Sequence, residues 1–94
     1  MNIIIEIIIG LGGIFLSLIN IYIWVIIISA LLSFVNPDPY NPIVQLLYRI
    51  TQPAYNLVRK FMPTTFNGID LAPLVIIIVL QIIMVVLGSL LRGL

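Results

Sequence analysis

The chain has 94 residues; Lys and Arg supply four, Asp and Glu three, and hydrophobic residues make up 63%. Average soluble domains carry about 25% charged residues, and a chain this short needs polar surface that is missing here, so a free-standing soluble monomer is all but excluded. Disorder is excluded too, since it requires low hydrophobicity and high charge. With no Cys and no His, disulfides, thiolate nucleophiles, zinc sites, histidine-ligated haem and imidazole acid–base chemistry all drop out. A net charge of +1 leaves no basic field for nucleic acid.

The first element is a membrane span. Ile7 to Pro37 holds no charge over 31 residues, and a spanning helix needs about 20 apolar residues. Fully helical, that stretch would be about 46 Å long, too short for two spans and a turn. Span 1 is placed near residues 10–34. A cleavable signal peptide is rejected: the start, Met-Asn-Ile-Ile-Ile-Glu, has no basic residue, and its apolar run is too long.

The connector covers 36–70. Pro37, Pro39 and Pro42 stop the helix, and Asn41-Pro42 reads as an N-cap followed by Pro at the first helical position. From there Ile43, Leu46, Leu47, Ile50, Ala54, Leu57, Val58 and Phe61 alternate at helical spacing with Gln45, Arg49, Gln52, Asn56 and Arg59. This predicts an amphipathic helix over 42–61, kinked at Pro53 or divided there into two short helices in register. Two placements fit: the helix lies in the membrane interface, or its apolar face packs on the spans or on another copy. Arg49, Asn56, Arg59 and Lys60 would face lipid headgroups or a partner. Tyr40, Tyr48 and Tyr55 suit interface positions. Asn67-Gly68 is a turn signal.

The second charge-free stretch, Leu71 to Leu91, runs for 21 residues and gives span 2 over 71–92, N-capped by Asp70 with Pro73 in its first turn. The expected fold is therefore all-α: two antiparallel transmembrane helices joined by a connector with an amphipathic interfacial helix. Arg49, Arg59 and Lys60 in the connector, against Arg92 and the amino terminus outside it, put the connector in the cytoplasm and both termini outside.

The polar residues within the spans suggest a packing seam. Asn20 and Gln81 sit near the middle of their spans, at the same depth in an antiparallel hairpin, and an unpartnered amide in lipid is costly. Gly13 lies seven residues before Asn20 and Gly88 seven after Gln81, so the two glycines come level, and small residues let helices approach. The predicted seam sets Gly13, Ser17, Asn20 and Trp24 against Gln81, Val85 and Gly88. The same residues could instead face another protomer or a membrane partner, and one hairpin buries so little surface that self-association is expected as well. No phosphate loop, dinucleotide fingerprint, metal-ligand spacing or hydrolase elbow is present, so no catalytic, cofactor or metal residue is assigned. A proton-carrying hairpin would need an ionisable group at midplane, and none lies there.

Taken together, Ser33-Phe34-Val35-Asn36-Pro37, Asn41-Pro42, Leu47-Tyr48-Arg49-Ile50-Thr51-Gln52-Pro53, Arg59-Lys60, Met62-Pro63 and Gly68-Ile69-Asp70-Leu71-Ala72-Pro73 resemble the YggT family, called YlmG in plastids, over roughly residues 10–90. The matching positions are Asn36, Pro37, Asn41, Pro42, Tyr48, Arg49, Pro53, Gly68, Asp70 and Pro73. The resemblance implies a small bacterial inner-membrane protein. Family members are associated with cell division, nucleoid organisation and osmotic or ion homeostasis, and plastid relatives with membrane-complex biogenesis. It implies no enzymatic activity. Phe34 stands where many members have Trp, and Gln52 where they have Glu, which removes one partner for Arg49 or Arg59. Some members carry two copies of the unit; this chain has one, so a two-unit assembly would require self-association. The function expected is that of a scaffold or assembly factor, with an oligomeric channel or transport subunit as the alternative.

Overall fold

The computed structural model describes residues 2–35, 38–63, 65–66 and 69–94. Asn36, Pro37 and Gly68 of the family motif, and the Asn67-Gly68 turn, lie outside the described residues. Three helices dominate: α1, Ile3–Phe34; α2, Pro42–Phe61; and α3, Ala72–Arg92. Between α2 and α3, β1 (Thr65–Phe66) and β2 (Ile69–Asp70) pair antiparallel, Thr65 opposite Asp70 and Phe66 opposite Ile69.

Each helix starts where a side chain can take an orphan amide. Asn2 is extended, and its Oδ1 accepts from the Ile4 amide at 2.8 Å, so α1 begins seven residues earlier than the span placed at 10–34. The physical reason is that membrane thickness sets the length of a span but not of a helix. Asn2 supplies the cap, and Glu6 in the first turn suits the positive helix end. Asn41 caps α2 by accepting from the Ile43 amide at 2.9 Å. Upstream, the Asp38 carboxylate accepts from the Tyr40 amide, and Gln45 donates to the Pro39 carbonyl. At α3 the capping position is Leu71, not the expected Asp70, because the helix starts at Ala72; Asp70 Oδ1 still accepts from the Ala72 amide at 3.0 Å. The α2 helix continues through Pro53 as one element and ends with the Met62 amide bonded to the Val58 carbonyl.

With 32 and 21 residues, α1 and α3 are about 48 and 31 Å long, enough to cross a hydrocarbon core of about 30 Å. Only 22% of the most apolar stretch of α1 and 11% of that of α3 are buried within the protein. Their apolar surface therefore faces outward, unlike that of a soluble core helix. The two pack as an antiparallel hairpin in which Gly12 meets Leu91 near one end and Ile26 meets Ala72 and Ile76 near the other.

The molecule measures 53 × 29 × 18 Å. The long axis is that of α1, and the second matches the length of a 20-residue α2, about 30 Å. The α2 helix thus lies across the hairpin rather than along it. The core forms at this crossing, where Ile26, Tyr55, Ala72 and Ile76 are buried together and Tyr22, Ala54 and Val58 pack around them.

Candidate functional site: the α2 crossing and its two clefts

Three polar contacts fix the crossing. Tyr22 Oη donates to the Ile50 carbonyl at 2.9 Å. The Ser29 and Thr51 hydroxyls lie 3.2 Å apart, both fully buried, and Thr51 Oγ1 also reaches the Leu47 carbonyl. Arg59 pairs with Asp70, tying the last turn of α2 to the start of α3. The Arg59 guanidinium also sits 5.7 Å from the centroid of the Tyr55 ring, within cation–π range. With Gln52 on its own helix carrying no charge, Arg59 finds its carboxylate on β2, just before α3.

At about 100° per residue, α2 presents three faces. Val44, Thr51 and Tyr55 form the flank buried on the hairpin. Ile43, Leu46, Ile50, Leu57 and Phe61 form an apolar face that the protein leaves exposed. Gln45, Arg49, Gln52, Asn56, Arg59 and Lys60 form the polar face.

The cavities on either side show which way those faces point. One cavity, of about 260 Å³, has Leu57 and Val58 of α2 opposite Tyr22, Val79, Leu80 and Ile83 of the spans. These hairpin residues are deep, near mid-span. On the other side a cleft of about 370 Å³ places Gln52 and Arg59 of α2 with Ser33 at the end of α1 and Asp70 before α3. The apolar side of α2 therefore faces the middle of the hairpin, and its polar side faces the span ends. One flank of α2 packs on the spans, as one of the two expected placements requires, and a second, apolar face is left exposed.

The predicted seam is corrected. Gly13 has open space where a Cβ would be. Ser17 is exposed, and its hydroxyl donates to the Gly13 carbonyl of its own helix. Asn20 and Gln81 are exposed, Trp24 is 59% exposed and Val85 64%. Gly88 is half-buried, with Arg92 of its own helix nearest. The seam actually runs along Gly12, Ile19, Ile23 and Ile26, and a Cβ on Gly12 would lie 2.5 Å from Leu91 Cδ1. Matching depths along the hairpin cannot choose a face on a helix that is apolar all round. Here Tyr22 and Ser29, which need partners on α2, turn α1 by one residue relative to the expected seam.

Tyr55, expected at the interface, is buried in the core, while Tyr40 is exposed and Tyr48 half-buried. Of the residues expected to face lipid or a partner, Arg49, Asn56 and Lys60 are exposed. Arg59 is engaged with Asp70 and Tyr55. Pro42 and Pro53 are exposed on α2, and Pro73 is half-buried in the cleft wall. What sequence reasoning missed is that Tyr22, Ser29, Thr51 and Tyr55 meet at the crossing. Their signal was the presence of hydroxyls at helical spacing on two otherwise apolar faces.

An apolar antiparallel hairpin crossed by an amphipathic helix, polar side toward the span ends, defines a small helical membrane protein. The chain matches the CCB3/YggT family model over residues 1–91, and it belongs to that family. It is 39% identical over 62 residues to an uncharacterised protein of Pseudomonas aeruginosa, covering 66% of this chain and 31% of that one. It is 36% identical over 64 residues to an uncharacterised protein of Haemophilus influenzae, covering 68% and 35%. The chain thus spans about a third of the length of these curated relatives. No solved structure matches it.

Proposed function

We propose that the protein is a non-enzymatic scaffold or assembly factor of the bacterial inner membrane, serving division or complex-biogenesis machinery, with its connector in the cytoplasm and both termini outside. The orientation of α2 carries this reading. Its buried flank is held by the hairpin, its apolar face is left for acyl chains, and its polar edge stays uncovered at the span ends. The Arg49 and Lys60 side chains make no hydrogen bond or ion pair among the described residues, so they are available to anionic headgroups, each worth about 1 kcal/mol near such a surface, or to an acidic partner.

Self-association belongs to this reading. Asn20 and Gln81 face outward from the middle of their helices, and an amide turned to hydrocarbon without a partner is costly. A second copy supplies that partner, and small residues at Gly10, Gly13 and Ser17 on α1 allow close approach.

A second reading rests on the same outward amides: an oligomeric channel or transport subunit active in osmotic or ion homeostasis, with Ser17, Asn20 and Gln81 lining a polar path. Ion flux through liposomes containing the protein separates the two. The scaffold reading expects no conductance above protein-free liposomes, together with a defined protein recovered by in-cell crosslinking from Lys60. Selective conductance lost in Asn20→Leu or Gln81→Leu would replace it with the channel reading. Orientation has its own check in a chain that carries no cysteine. Tyr40→Cys, at an exposed position, is expected to react with an impermeant maleimide only after the cells are permeabilised; ready labelling of intact cells would reverse the topology.

A further inference from the structure

The cleft above α2 does not end at its polar wall. Through Ala30, Phe34, Asp70 and Pro73 it continues into an apolar groove of about 240 Å³ on the opposite face of the hairpin. That groove runs down between Ile27 and Leu31 of α1 and Leu74 and Ile77 of α3. The polar half lies at the span ends and the apolar half descends along the spans, which is the arrangement of a lipid headgroup and its acyl chain.

The polar half carries charge of both signs. Arg59 and Asp70 are paired, yet their side chains remain 38% and 35% exposed. Gln52 adds an amide and Ser33 a hydroxyl oxygen that can accept while its proton is donated to the Ser29 carbonyl. Tyr55 forms part of the wall, and its buried hydroxyl has no partner among the described residues, an unmet requirement inside the protein. An anionic headgroup would meet Asp70 as well as Arg59. A headgroup with a phosphate and a primary amine matches both, phosphate toward the guanidinium and ammonium toward the carboxylate.

We propose that this crevice is a binding site for one phospholipid with a phosphate–amine headgroup, its headgroup between Gln52, Arg59 and Asp70 and one acyl chain in the Ile27–Leu31–Leu74–Ile77 groove. The site depends on the membrane class of the fold and not on the scaffold role, so failure of one leaves the other standing.

The full chain is reconstituted in phosphatidylcholine vesicles doped with phosphatidylethanolamine that carries a photoactivatable acyl chain, and adducts are mapped by mass spectrometry. Adducts on Leu31, Leu74 and Ile77 are expected to exceed those on Val85 and Val86, which are exposed on α3 outside the groove. Arg59 would donate a charge-assisted hydrogen bond to the phosphate, so Arg59→Gln should lower the groove-to-Val85 ratio about tenfold, the equivalent of about 1.4 kcal/mol. Leu74→Trp, at an exposed position outside the core, should lower it by filling the groove while leaving the helices docked, which separates loss of the site from loss of the fold. A phosphatidylglycerol probe should label the groove no more than Val85. Equal labelling of the groove and Val85 by the phosphatidylethanolamine probe, a ratio unchanged in Leu74→Trp, or equal enrichment of the phosphatidylglycerol probe would each overturn the proposal.

Discussion

Ile26→Ala is expected to undock α2, whereas Ile21→Ala, five residues away on the same helix, should be silent. Ile26 is 0% exposed at the point where all three helices meet, against 59% exposure for Ile21. Truncating a buried Ile to Ala costs about 2–5 kcal/mol. Part of that figure is transfer from water, which shrinks in a bilayer because lipid tails are as apolar as the side chain. The remainder is lost packing against Tyr55, Ala72 and Ile76, so the lower end, about 2 kcal/mol, is the expectation. The measurement uses Val58→Cys, half-buried against the same cluster. Its maleimide labelling in vesicles should speed up about 30-fold in the Ile26→Ala background, the factor that 2 kcal/mol represents, and stay unchanged with Ile21→Ala. Equal rates in both would mean that α2 is not held by this core.

Ile26 matters because the docking of α2 rests on few groups. One side of the crossing offers the apolar cluster, the other the Ser29–Thr51 contact and the Tyr22 bond to the Ile50 carbonyl. Where water is excluded, such bonds matter as much for the penalty of leaving the groups unpaired as for their net strength. The Arg59–Asp70 pair at the far end is part-exposed, so screening reduces its contribution to docking. Its role is geometric: it holds the cleft wall in place at the span ends.

The sequence made α2 legible because it is punctuated at both ends, by Asn41-Pro42 and by Met62-Pro63, and because its polar residues recur at helical spacing between. The structure places α2 at Pro42–Phe61. Legibility failed where pattern carried no contrast. Along α1 almost every position is apolar, so depth could be read from Asn20 and the glycines but rotation about the helix axis could not. Gly12 and Gly13 are adjacent, only one faces α3, and nothing local distinguishes them. The Arg59–Asp70 pair was hidden for a different reason. The two residues are 11 apart in sequence and meet only because the chain doubles back through β1 and β2. Tyr55 misled because an aromatic with a polar tip suits a membrane interface, whereas here its ring is needed in the core.

That ambiguity between adjacent glycines gives the sharpest test of the hairpin. A Cβ at Gly12 would lie 2.5 and 2.7 Å from the two Cδ atoms of Leu91, while one at Gly13 meets nothing within 4 Å. Ala at 12 can be absorbed, since the obstructing atoms are the ends of a flexible side chain. Leu cannot, and overpacking of this kind costs about 1–3 kcal/mol. Gly12→Leu should therefore weaken the α1–α3 contact in a steric-trapping or detergent-unfolding measurement, and Leu91→Ala in the same chain should restore most of the loss, a coupling that only a direct contact produces. Gly13→Leu should leave hairpin stability unchanged but lower the dimer fraction at a given protein-to-lipid ratio, because Gly13, Ser17 and Asn20 form the outward face assigned to a second copy. The opposite pattern, with Gly13→Leu unfolding the hairpin and Gly12→Leu silent, would rotate α1 back by one residue and return Asn20 to the interior, removing the reason for a second copy at that face of α1.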